Sequence, residues 1–446
     1  MKRNLFLVAL AATALASCSQ DEIMEVQQDA IKFNVVTENQ TRAADVYCNN
    51  NTMSSFNVYG TYTTGTTTQM YMNGDVITKQ TDGTWKNTTA TRYWSDTENA
   101  HNFYAIANGT VTLPTSWENN AAPKVENFTP ATDVSKQVDL VYAVATGKDK
   151  DDAQVTLNFR HALSQIEFKA KNTNAQMYVE IEAVQVGNAP SKGTFTFPTA
   201  STDSNIGDHT TEAGATETEG TTYNRGSWAL STTTTDIADY TVDVTTTTGE
   251  GDAATTSGIA VSGNNTAVNL TISTHPTSTT ATKDYSKSML LVPNATVADD
   301  GSITGTTAWT PAANLDSGTY LAVKCKIYNV ADAPGDDTDA NSAPAFDKDN
   351  DVLLHSGWAI VPVPFKWEQG KKYIYTFIFG EGNGGYDGGE NEEPDPDPTP
   401  EEDDEPEEDP KPVLVPMTYS ITVDDFVKGS EEDVDMETKE TTGDTD

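Results

Sequence analysis

Side chains able to do covalent or metal chemistry are few here: three cysteines and five histidines in 446 residues. The histidines, His101, His161, His209, His275 and His355, are scattered, and none stands at a metal-binding or zinc-protease spacing. No Gly-x-Ser-x-Gly turn offers a nucleophilic serine. Gly380 and Gly382 lead into an acidic, Pro-rich stretch and no helix, so they cannot cradle a phosphate. Asp347, Asp349 and Asp351 open like a calcium loop. However, Val352 stands where that loop needs glycine and Trp358 where its closing glutamate belongs, so a solvated loop is expected. The sequence therefore predicts no catalytic residue, no metal site and no cofactor. The chemistry that remains belongs to two positions where a chain is processed, Cys18 and Arg42.

Cys18 ends a leader. Lys2 and Arg3 precede an almost wholly apolar run from Leu5 to Ala16, which is too short for a membrane-spanning helix of about 20 residues and has the pattern of a secretory signal. Leu15-Ala16-Ser17-Cys18 resembles the bacterial lipobox, in which the cysteine sulfur takes a diacylglycerol and becomes the new N-terminus. An ordinary signal with a chance cysteine is the alternative. Asp21 and Glu22, just behind Cys18, resemble a lipoprotein surface-export signal and imply the outer face of an outer membrane. Cys48 and Cys325 would then share a disulfide-permissive compartment, either paired or as separate thiols. Cys325 lies on the apolar face of the run Leu321 to Ile327, where a free cysteine behaves as a small hydrophobe.

The formal net charge is −40, from 67 acids against 27 bases. Without a basic stripe such a chain is repelled by phosphate backbones, so nucleic acid is excluded as a partner. Strong helix patterns are absent. Short β-branched and aromatic runs separated by turn residues predict an all-β chain.

The elements that would position the processing sites are strands. Ile31, Phe33 and Val35 alternate with Lys32 and Asn34, a strand with one buried face. Asp139 to Val144 reads as another strand, and so do Val155-Leu157-Phe159, Met177 to Ile181, Tyr320 to Tyr328 and Trp358 to Val363. The phase slips at His161–Ser164 and again near Val184, as turns and bulges require. Tyr373 to Phe379 is apolar on both faces, as for a strand in the middle of a sandwich. Beyond it, Asp387 to Asp409 holds 14 acids and no base, an extended self-repelling spacer. Then Met417, Tyr419, Ile421 and Val423 alternate with Thr418, Ser420 and Thr422, an amphipathic strand that cannot fold alone.

Two amphipathic strands thus flank the body, and Arg42, one of five arginines, follows the first. Cleavage between Arg42 and Ala43 would free the Ile31-Phe33-Val35 strand and bare a groove and a sheet edge. A strand from a neighbour could fill it by β-augmentation. Three or four buried side chains at about 1.5–3 kcal/mol each make such a contact long-lived, and a head-to-tail contact that does not close makes a filament. The alternatives are an uncleaved surface arginine and a last strand that pairs within its own chain.

These features together resemble the fimbrillin family, which builds the type V pili of Bacteroidales-type bacteria. The matching residues are the lipobox, Ala30-Ile31-Lys32-Phe33 with Thr41-Arg42-Ala43, Asp139-Leu140-Val141-Tyr142-Ala143, Phe159-Arg160-His161-Ala162-Leu163-Ser164, Trp367 to Tyr375, and Ile421-Thr422-Val423-Asp424-Asp425-Phe426. The resemblance implies two transthyretin-like β-sandwich domains at 18–152 and 153–380. Around them it sets a signal at 1–17, a spacer at 381–412 and a C-terminal strand and tail at 413–446. It also implies lipid anchoring through Cys18, cleavage at Arg42, polymerisation with other fimbrial subunits by strand exchange, and Met417 to Phe426 as a donor strand. The acidic spacer departs from the family pattern, as does Phe426 where tryptophan is expected; whether the last strand folds back on its own domain stays open. The second hypothesis is a non-polymerising surface lipoprotein, such as an anchor or accessory subunit, that binds glycan or protein. Trp85, Trp94 and Trp117 are its candidate platforms, with a core role for Trp94 as the alternative.

Overall fold

A computed structural model describes residues 30–37, 53–94, 100–117, 121–152, 154–202, 225–233, 235–248, 255–271, 273–274, 283–284, 287–295, 318–330, 351–361, 366–382, 386–387 and 417–425. The architecture is all-β, as expected, with one 3-10 turn at Val134–Lys136 and no α-helix among these residues.

The first strands in chain order are β1 (Phe33–Thr37), β2 (Ser55–Thr64), β3 (Thr67–Lys79), β4 (Trp85–Asn87), β5 (His101–Ala107), β6 (Lys124–Phe128), β7 (Val141–Lys148) and β8 (Val155–His161). All but β6 form a seven-stranded sheet, in the order β1-β8-β7-β5-β2-β3-β4. The β2–β3 hairpin turns at Gly65, whose φ of 62° is the left-handed geometry that a tight hairpin demands. The sheet curls back on itself. Ala30 bridges Tyr93 and the Ile31 N–H donates to the Arg92 carbonyl at 2.8 Å, so the segment after β4 meets the segment before β1. Period-two side chains fill the enclosed space: Phe33, Phe56, Val58, Met72, Phe103, Val141, Val155, Leu157 and Phe159. The opposite faces of β5 and β7 carry Tyr104, Ile106, Tyr142 and Val144. These pack under a three-stranded sheet that contains β6 and contributes Val125 and Phe195. The central strands are therefore buried on both faces.

The remaining strands are β9 (Ser164–Asn172), β10 (Met177–Pro190), β11 (Gly193–Thr196), β12 (Ser227–Leu230), β13 (Ile237–Asp243), β14 (Ile259–Ser262), β15 (Val268–Asn269), β16 (Met289–Leu291), β17 (Tyr320–Asn329), β18 (Val352–Val361), β19 (Lys371–Phe379), β20 (Tyr386–Asp387) and β21 (Met417–Asp425), besides two- and three-residue ladders. β11 and β12 complete the sheet of β6. One further sheet runs β13-β10-β17-β18-β20, with β14 also on β10; another runs β15-β9-β19-β21, with β16 also on β9. Their facing sides share one core. Val179, Ile181, Leu321, Val323, Cys325 and Ile327 come from the first sheet, and Ile166, Phe168, Tyr373, Tyr375 and Phe377 from the second. This is a β-sandwich in the sense that two inner faces interdigitate.

The phase slips read from the sequence have structural causes. Between β8 and β9 the chain turns at Ala162-Leu163 and passes from the curled sheet into the sandwich. Near Val184, β10 carries an irregularity in its register with β17, between Ile181 and Ala183. Two boundaries differ from the sequence-based expectation. β8 lies beyond residue 153 yet is hydrogen-bonded to β1 and β7 in the first sheet. Tyr386, inside the stretch expected as spacer, belongs to β20, which pairs with Ala359 and Ile360 of β18, and it packs against the small cluster of Ala183, Tyr320, Ala322, Trp358 and Ile360.

Candidate functional site

β1 lies parallel to β8 over five residue pairs, from Phe33 opposite Val155 to Thr37 opposite Phe159. The Val155 N–H donates to the Lys32 carbonyl at 2.8 Å. Ile31 and Phe33 are buried and Val35 is half-buried against the same core, while Lys32 and Asn34 are exposed, as the alternation predicts. The Phe33 ring meets the Phe103 ring edge-on at 5.6 Å between centroids. A strand this short is held mainly by what it buries. Its two buried side chains and one half-buried one contribute about 4–8 kcal/mol.

The second wall of the β1 seat is the segment from Arg92 to Trp94. Side chains on β3 and β4 hold it, where a regular ladder would otherwise do so. The Arg92 guanidinium donates to both Asp75 carboxylate oxygens, at 2.8 and 2.9 Å, and Asn87 donates to Oδ2 at 2.8 Å. The Asp75 side chain is only 2% exposed. Burial pushes its carboxyl up, but the hydrogen bonds from Arg92 and Asn87 and the Arg92 charge outweigh burial and hold it below the usual carboxylate range. The Tyr71 hydroxyl accepts from the Tyr93 N–H at 2.9 Å and donates to the Tyr93 carbonyl. Arg92 also sits over the Tyr71 ring. These contacts tie the wall to β3, besides its bonds to the segment that leads into β1.

At the other end of the chain, β21 pairs antiparallel with β19 over nine residues, from Met417 opposite Phe379 to Asp425 opposite Lys371. Met417 is buried, and Tyr419 and Ile421 are partly buried against the sandwich core. Burial raises the Tyr419 hydroxyl pKa. The register sets Asp424 and Asp425 opposite Lys372 and Lys371. β21 is the last strand of its sheet, so its outer edge has no strand beside it among the described residues.

The structure does not bring these two strands together: β1 closes one sheet and β21 ends another. Cys18, Arg42, Ala43 and Cys48 lie outside the described residues, as do Asp347 and Asp349. Cys325 is a fully buried free thiol whose pKa burial drives up. Trp94 is a core residue. Trp85 packs on Phe56 at 5.1 Å and Trp117 stacks on Tyr104 at 5.7 Å, so both are engaged in packing. Sequence reasoning missed the Asp75–Arg92 clamp. The scarcity of arginine was its one visible signal, since the pair is 17 residues apart and no motif marks it.

Among the described residues no group of three or more metal-ligating side chains assembles. The fimbrillin-like family matches residues 41–393, and the chain belongs to it. Both β1 and β21 fall outside the matched residues. Similar solved structures include a fimbrial protein from Bacteroides vulgatus ATCC 8482, with 15% identity, a TM-score of 0.46 and coverage of 78% of this chain and 94% of that one. A proposed cell adhesion protein from Bacteroides uniformis ATCC 8492 has 15% identity and a TM-score of 0.35, covering 90% and 99%. Another from Bacteroides ovatus ATCC 8483 has 13% identity and a TM-score of 0.37, covering 91% and 99%. No curated protein matches the chain.

Proposed function

We propose that this chain is a structural subunit of a cell-surface fimbria that supports adhesion, exported as a lipidated precursor and polymerised by strand exchange. In this reading Cys18 carries the lipid that holds the precursor at the outer membrane. Cleavage between Arg42 and Ala43 frees β1 together with that lipid. The vacated seat beside β8 then takes a strand from a neighbouring fimbrial subunit, with Met417, Tyr419, Ile421 and Val423 as the donor. The repeated contact is head-to-tail and extends into a filament.

Membership of the fimbrillin-like family supports the fimbrial part of this reading. The observation that carries the exchange part is the seat of β1. It is a short terminal strand whose partners, β8 and the clamped Arg92–Trp94 segment, are held by the rest of the fold. Its departure leaves an ordered slot in place of a collapsed sheet. An Arg42→Ala variant tests this at the cell surface. The expected result is an uncut precursor that forms no multimers; multimers of the uncut variant would remove cleavage from the account.

The nine-pair ladder of β21 on β19 favours a second reading. A strand satisfied within its own sheet suits a non-polymerising anchor or accessory lipoprotein, which keeps its lipid and binds other subunits or a surface ligand.

A further inference from the structure

Resting on the strand-exchange reading, we infer that Tyr419 of a second copy takes the place vacated by Phe33, and that this aromatic sets the register of the incoming strand. Phe33 occupies the deepest position of β1, with its ring edge-on to Phe103. On the same face it is flanked two residues away by aliphatic Ile31 and Val35, and on the outside by exposed Lys32 and Asn34. β21 repeats this arrangement. Tyr419 is the one aromatic of its alternating face, with Met417 and Ile421 two residues to either side and polar Thr418 and Ser420 between. An aliphatic–aromatic–aliphatic triplet fits the seat in one register, whichever way the strand runs. Shifting it by two residues would set Met417 or Ile421 against Phe103 and leave a ring-sized void. It would also force the Tyr419 ring into a place shaped for Ile31 or Val35. Both changes are costly in a close-packed core.

The tether allows the strand to reach. Roughly 30 residues separate β20 from β21, and fully extended they span about 100 Å. The strand that leaves β19 can therefore enter the next subunit while its chain stays folded through β20.

The test is cross-linking in the full chain. Thr156 lies opposite Asn34 in the β1–β8 register. A Thr156→Cys variant is combined in turn with Thr418→Cys, Ser420→Cys or Thr422→Cys, and surface multimers are oxidised and mapped by mass spectrometry. The expected intermolecular bond joins position 156 to 420 if the strand runs parallel to β8, or to 418 if it runs antiparallel, and not to 422. Exchanging the aromatic (Tyr419→Ile with Ile421→Tyr) should move the bond by two residues, to 422 or to 420 respectively. Tyr419→Phe should retain the original bond, and Tyr419→Thr should lower multimer yield at least about tenfold. Multimers bonded at 422 in the original arrangement, or a bond that stays put after the exchange, would overturn the register while leaving strand exchange intact. A lack of multimers in every variant, the unsubstituted chain included, would overturn strand exchange itself.

Discussion

If β1 is held by what it buries and is lost on cleavage, then Phe33→Ala should matter before the cut and not after it. Phe33 is 5% exposed and packs edge-on against Phe103. Truncating a buried phenylalanine costs about 3–5 kcal/mol, through lost transfer energy and the cavity left behind. That is well beyond the roughly 0.5 kcal/mol within which surface substitutions usually fall. The assay is denaturant unfolding of the soluble uncut chain, starting after residue 18, with and without the substitution. The same comparison is then made on chains treated to begin at Ala43. The uncut pair should differ by about 3–5 kcal/mol in the transition that reports the curled sheet, read from the fluorescence of the buried Trp94 nearby. The cut pair should coincide within error, because the residue is no longer in the fold. An equal loss in both pairs would mean that the severed strand stays in its seat. The picture of a slot made ready for a neighbour would then be wrong.

Other outcomes follow from the same geometry. Asp75→Ala leaves the half-buried Arg92 without its carboxylate and should cost about 3 kcal/mol, measured by the denaturation midpoint; no change would show that the clamp does not hold the Arg92–Trp94 wall. Because the folded Asp75 carboxyl titrates below its ordinary value, its stabilising contribution is present above about pH 4 and is lost as pH falls through the folded value. Asp75→Asn should accordingly flatten the acid limb of the stability profile, and an unchanged limb would contradict that assignment. Cys325 should resist alkylation in the folded chain and react only on unfolding, since burial keeps its thiol protonated and covered; rapid native-state labelling followed by mass spectrometry would refute its core placement. Deleting residues 417–446 bares the β19 edge and part of the core beneath Met417, so the uncut, truncated chain should self-associate in light scattering where the uncut full-length chain does not.

Much of the strand content was legible because period-two burial is a local signal. Ile31-Phe33-Val35, Val155-Leu157-Phe159 and Met417-Tyr419-Ile421 all present their apolar residues to a core. The doubly apolar run Tyr373 to Phe379 does lie inside a sheet, between β9 and β21. The pairings were not legible. β1 joins β8 in parallel across more than a hundred residues, and β19 joins β9 in parallel across two hundred. No local pattern encodes such long-range choices, which depend on how whole sheets close. The change of sheet near residue 162 was not legible for the same reason: β8 and β9 are adjacent alternating runs, yet a two-residue turn sends them into different sheets. The β1 seat was half legible. Its buried face was readable from alternation, but its second wall depends on Asp75, Asn87 and Tyr71, polar residues whose roles exist only once β3 and β4 are folded.

The central claim concerns two ends of one chain, and one preparation tests both. Protein is taken from the cell surface, its N-terminal residue is determined, and its migration is compared on denaturing gels with and without heating. The account predicts an N-terminus at Ala43 and a ladder of multimers that collapses to monomer on heating. A blocked, lipidated Cys18 with a single monomer band in both lanes would contradict it, and would identify a subunit that stays anchored and does not polymerise.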